Sequence, residues 1–213
     1  MKPKSPEQLK SLLLKSGRPL ASFKKGDVIK GPRFQYKLTE EPGELGPEFQ
    51  PALSPAEMLM LGVFEGAYLN DCYTEFPVEW FLGGLMTDSL RPGSPDPTVN
   101  LFKIKSRQPL SVWKENGWVP DGNPGNSGLS GLSVTGRAIL GSPENPDERG
   151  WFQWYCRYWM GRRIPALDSV QIGRWKSFAR HAGAIKANCK PGDLSCRPKE
   201  RQALLQWAWN PFI

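Results

Sequence analysis

Residues 151–163 read WFQWYCRYWMGRR, and no other stretch of the chain restricts its fold so tightly. At helical spacing, Trp151, Trp154, Tyr155, Tyr158 and Trp159 fall within an arc of about 140°. Phe152 widens the arc, and Gln153, Arg157 and Met160 lie opposite. The pattern predicts an amphipathic helix that Gly161 ends, with rings as its apolar face. Rings bury more apolar area per residue than other side chains, so a chain with nine Trp and ten Phe can build its core from them. The same stripe has a second use. Tyr158 or Trp159, at its edge, could stack a nucleobase beside Arg162 and Arg163. Arginines at a helix C-terminus also have a purely structural role, since they complement the helix dipole.

Start and stop signals place further helices. Ser5-Pro6-Glu7-Gln8 pairs a capping serine with a first-turn proline, and Gly17 is a stop, which predicts a helix over 6–16. Ser54-Pro55-Ala56-Glu57 repeats the signal as a capping box ahead of a short apolar helix broken at Gly62. A helix is expected from Pro77 to the Gly83-Gly84 pair, and another over about 110–116, closed by Gly117. Phe34–Leu38 is the one short strand expected. Asp168 is expected to cap a long helix over 168–188, and Pro198 to open a final one. The C-terminal part is thus a basic tri-helical module, each helix turning Trp inward and Arg or Lys outward. The fold class is mainly α: one compact multi-helix domain with long irregular loops. Residues 1–37 form a basic N-terminal extension, and 38–213 the helical domain. Residues 120–149 hold many glycines and prolines and no aromatic residue, which predicts a mobile insertion loop with little to bury.

The net charge of +7 is unevenly spread. Residues 1–37 carry +8, residues 38–156 carry −9, and residues 157–201 carry +8. Basic ends that flank an acidic middle either fold back to neutralise it or share a face aimed at a polyanion. For the second case the candidate nucleic-acid contacts are Arg157, Tyr158, Trp159, Arg162, Arg163, Arg174, Lys176 and Arg180.

Other chemistry is sparser. YLNDCYTEFPVE gathers Asp71, Cys72 and Glu75, candidates for acid–base or nucleophilic work, although neighbouring acids raise a thiol's pKa. The other reading of that stretch is a solvated acidic turn. His181, Cys189 and Cys196, with Cys156 as a fourth ligand, form a zinc set whose spacing matches no common finger. No phosphate-binding or dinucleotide-binding glycine motif and no nucleophile elbow occurs, so no cofactor is expected. No apolar run is long enough for a membrane span or a signal-peptide core. The expectation is a cytoplasmic protein, or a nuclear one in a eukaryote, with its four cysteines as thiols.

SPAEMLMLGVFEGAYLNDC, EFPVEWF, SRQPLSVWKENGW, GWFQWYCRYWMGRR, DSVQIGRW and CRPKERQALLQWAW together resemble a family of small proteins seen as hypothetical open reading frames. The likeness covers about three quarters of the chain and implies no activity and no catalytic residue. It does imply that the segment between about 118 and 150 is an insertion. Two functional expectations follow. The first is a helical nucleic-acid-binding protein, DNA before RNA, which also processes a base or strand in its fullest form. The alternative is a small enzyme acting on an anionic metabolite, with the Asp71/Cys72/Glu75 loop as chemistry and arginines as an anion clamp.

Overall fold

In the computed structural model, residues 2–31, 34–120 and 134–213 are described. The chain is mainly α, with one two-stranded sheet among the described residues. It divides into two compact units, each assembled from separated segments. The first unit takes 1–24, 50–107 and 178–213, and the second takes 25–49 and 108–177. The basic 1–37 stretch is therefore not an extension in its own right, because its residues are shared between the units.

In the first unit, α1 (Pro6–Ser16) starts as its signals predict: the Ser5 hydroxyl accepts from the Gln8 amide, and Leu9 and Leu13 face the core. It stops at Gly17, which turns extended while its amide donates to the Leu13 carbonyl, and where a Cβ would meet that carbonyl and Val78. The Ser54–Glu57 capping box opens α2 (Pro55–Met60). α3 (Val78–Met86) runs past the glycine pair expected to end it. Gly83 and Gly84 let Met60 and Leu90 lie against the helix, so here glycine serves packing instead of termination. The turn between α2 and α3 is strained. Phe64, Glu65 and Leu69, none of them glycine, have φ of 52°, 61° and 58°. It is held by a buried polar network in which the Glu65 amide donates to Asn100 Oδ1, and Glu65 Oε1 accepts from the amides of Ser106 and Arg107. α8 (Ala179–Asn188) and α9 (Pro198–Gln206) complete the unit around Ala182, Ile185 and Leu204.

In the second unit, β1 (Val28–Gly31) and β2 (Phe34–Lys37) pair antiparallel, so a hairpin stands where one strand was expected. α4 (Leu110–Glu115) and Gly117 follow expectation. α5 (Val134–Gly141) does not. Residues 121–133 of the predicted mobile loop lie outside the described residues, but 134–149 is packed structure. α5 packs on α7 (Pro165–Ser177), and Leu140, Asn145 and Asp147 are buried. This part is not an unpacked tip: glycine content hid a short apolar helix and a carboxylate whose partners lie further along the chain.

α6 (Trp151–Trp159) carries the ring stripe, and every residue from Trp151 to Tyr158 is buried. Phe49 sits at its centre, edge-on to Tyr155, Tyr158 and Trp175 and tilted against Trp154. The helix ends at Gly161, φ +101°, where any Cβ would overlap the Glu40 carbonyl, while its own carbonyl accepts from the amides of Thr39 and Glu40. The expected helix 168–188 is two helices, α7 and α8, broken at Phe178, where the chain passes from one unit to the other. It also begins earlier than expected. Pro165 takes the first-turn position, and Asp168 reaches back to accept from the Ile164 amide at 2.7 Å.

Candidate functional site

The arginines expected to meet phosphate fall into three groups. Arg157 and Arg162 are each 1% exposed and converge on Asp147, which is fully buried. Arg157 Nη1 donates to Asp147 Oδ1 at 2.9 Å and to the Pro146 carbonyl at 2.6 Å. Arg162 grips the carboxylate with both terminal nitrogens, at 2.8 and 2.7 Å. The Tyr36 ring lies near both guanidiniums, and the Phe34 ring lies 4.5 Å from that of Arg157. The ring faces add cation–π stabilisation to these buried guanidiniums. The arrangement is a structural triad, and neither guanidinium is presented to a ligand. α6 was expected to turn its arginine outward; instead its polar face is buried against the segment at 145–147.

Arg163 is spent on backbone. It donates to the carbonyls of Tyr158, Arg162 and Glu44, and its plane lies 3.7 Å over the Tyr158 ring. Tyr158 is buried, so it offers no face to a base. Trp159 is half-buried, with Gly43 against it. Arg174 donates to Gln171 Oε1 and lies beside the Trp118 ring, and burial pushes its guanidinium down to about 10, still charged at neutral pH. Of the eight candidates, only Lys176 and Arg180 are exposed.

The other sets resolve differently. Cys189 and Cys196 form a disulfide, in place of the four thiols expected; Cys72 and Cys156 are buried thiols. With two of its four ligands joined, the zinc set Cys156, His181, Cys189 and Cys196 fails. No group of three or more His, Cys, Asp or Glu is gathered for a metal among the described residues. In the acidic turn, Cys72 and Glu75 are buried, and the Cys72 thiol faces Asp71 Oδ1 at 4.0 Å. A carboxylate next to a thiol favours its neutral form, which opposes nucleophilic use.

A cation–ring edge does exist, on residues not singled out from sequence. Phe178 and Trp207 stack at 4.1 Å with 18° between their planes, and His181 is tilted against Phe178 at 5.1 Å. All three are half-buried, and the Arg180 guanidinium lies 5.8 Å from the Phe178 ring. Lys186, Lys190 and Lys199 are exposed on α8, α9 and the turn between them. α8 contains no acid. Burial, with Arg180 second, holds His181 below its ordinary value of 6.5, so the ring is neutral at pH 7. The signal was partly visible: Phe178 belonged to an apolar face in sequence, but nothing in its spacing said that Trp207 would cover it.

The unit totals agree with that location. The first unit holds sixteen Lys or Arg against ten Asp or Glu, a net +6, and the second twelve against eleven, a net +1. The excess cation is thus on the unit that contains α8 and α9. In comparisons with protein-family models, curated proteins and solved structures, nothing matches this chain. Among the described residues, no helix is long and apolar enough to cross a membrane.

Proposed function

We propose that the chain binds nucleic acid, with a preference for unpaired bases, through the α8–α9 edge of the first unit. The observation that carries this reading is the pairing of half-buried stacked rings, Phe178 and Trp207, with exposed Arg180, Lys186, Lys190 and Lys199. Rings accept any base face, and cations track the phosphates. The +6 of this unit supplies the long-range attraction. Arg157 of α6 and Arg162 just beyond it take no part, because they hold Asp147.

Fluorescence titration with oligothymidylate, and separately with duplex DNA and RNA, tests the reading. Each phosphate contact displaces condensed counterion, so Arg180→Gln with Lys186→Gln should flatten the slope of log affinity against log salt by about one unit per lost contact. Trp207→Leu should weaken single-strand binding by about 1–3 kcal/mol at unchanged slope. Absence of binding to any of these at about 50 mM salt would refute the proposal.

A further inference from the structure

A cavity of about 920 Å³ lies within the second unit, between residues 40–48 and α7. Its wall carries the carboxylates of Glu40, Glu44, Glu48 and Asp168 against the cations of Arg163 and Lys176. The lining is therefore net −2, although the unit as a whole is +1. Three of these charges are already engaged. Arg163 gives its donors to backbone carbonyls and its face to Tyr158. Glu40 is paired with Lys25 at 2.9 Å. Asp168 accepts from Trp154 Nε1 at 2.8 Å and from the Ile164 amide, leaving each oxygen capacity for another donor. Neither Glu44 nor Glu48 is held in a salt bridge among the described residues; Glu44 acts on Lys25 only through space. Tyr158 is 98% buried in this wall, its hydroxyl 3.4 Å from Glu48 Oε1 and also hydrogen-bonded with the Gly46 backbone.

We infer that this cleft binds a small aliphatic polyamine, a ligand with two or more ammonium groups on a methylene chain. An anion would face an excess of carboxylates and find Arg163's donors already committed. A bare metal ion would find no converging ligand set of three among the described residues, in a cavity many times its size. Ammonium groups match the acceptor capacity of Glu44, Glu48 and Asp168. The methylenes match Leu45, Pro165 and Ile172, the apolar part of the wall. The wall is also left open at Gly173. This glycine lies inside α7, where glycine weakens a helix, yet a Cβ there would meet nothing within 4 Å. Burial holds the Asp168 carboxyl and the Tyr158 hydroxyl above their ordinary values, as expected for groups shielded at the back of a cleft.

Isothermal titration of the full chain with spermidine tests the inference. Wild type should bind one spermidine, and Glu44→Gln with Glu48→Gln should weaken binding by about tenfold or more. Removing two exposed carboxylates elsewhere, Asp88→Asn with Glu115→Gln, should leave affinity unchanged, which separates site binding from general charge attraction. Gly173→Leu fills the open wall without touching a charge and favours the helix, so this variant should fold at least as stably and lose the site. Equal losses in both carboxylate pairs, undiminished binding in Gly173→Leu, or tighter binding of adenosine monophosphate or maltose than of spermidine would each overturn the inference. The absence of saturable binding would do the same.

Discussion

At the scale of single residues, the decisive side chain is Asp147. It pairs with both Arg157 and Arg162, and all three are almost wholly out of water. Removing one partner of a buried ion pair leaves the rest uncompensated, so Asp147→Asn should destabilise the fold by about 3–5 kcal/mol in chemical denaturation. A loss below about 1 kcal/mol would show that the guanidiniums reach water and that the triad is not structural. Asp168 gives a test with a sign. Burial raises its pKa above the ordinary 3.8. Below 3.8 both folded and unfolded chains hold the proton, and no cost arises. As pH rises through the raised native value, the unfolded chain ionises first, so Asp168 makes the fold progressively less stable. Asp168→Asn should therefore gain stability relative to wild type over that rise. A difference that stays flat with pH would mean that the carboxylate is not shielded as its contacts with Trp154 and Ile164 imply.

At the scale of elements, α5 and the segment that follows it behave as core. Leu140 is fully buried, and α5 packs on α7. Leu140→Ala should cost about 2–5 kcal/mol, and replacing 134–149 by a short linker should cost more, since Asp147 goes with it. Unchanged stability on thermal melting of either variant would return this stretch to a dispensable loop. Local signals worked where the cause is local. Ser5 and Ser54 cap the helices they announce, because a side-chain oxygen and an amide three residues on are neighbours in any helix. Gly83 and Gly84 misled, because what they serve is the approach of Met60 and Leu90, which lie outside the helix. Residues 134–149 misled for a similar reason: composition counts glycines, but the worth of Leu140 and Asp147 depends on partners many residues away.

At the scale of the whole molecule, net charge is a property of the two units rather than of the chain. The first carries +6 and the second +1. If polyanion binding belongs to the first, Arg163→Gln with Lys176→Gln in the second should leave the salt slope of nucleic-acid affinity unchanged, measured in parallel with the Arg180 and Lys186 pair. A slope that falls equally in both pairs would show that the second unit also contacts phosphate.

Periodicity alone indicated that the chain is helical and favoured a ring-built interior, while leaving open whether Tyr158 or Trp159 emerges at the edge. It also placed most helix starts. Which arginines remain at the surface was settled only by tertiary structure. Nothing local in sequence separates the burial of Arg157 and Arg162 from the exposure of Arg180; Asp147, the Pro146 carbonyl and the Phe34 and Tyr36 rings surround the first two. The stacking of Phe178 on Trp207, the bond between Cys189 and Cys196, and the cleft around Glu44 and Glu48 are likewise products of chain return. The physical reason is common to all of them. Helix propensity and capping act over a few residues, whereas burial, pairing and enclosure depend on segments that are distant in sequence and adjacent only once each unit has folded.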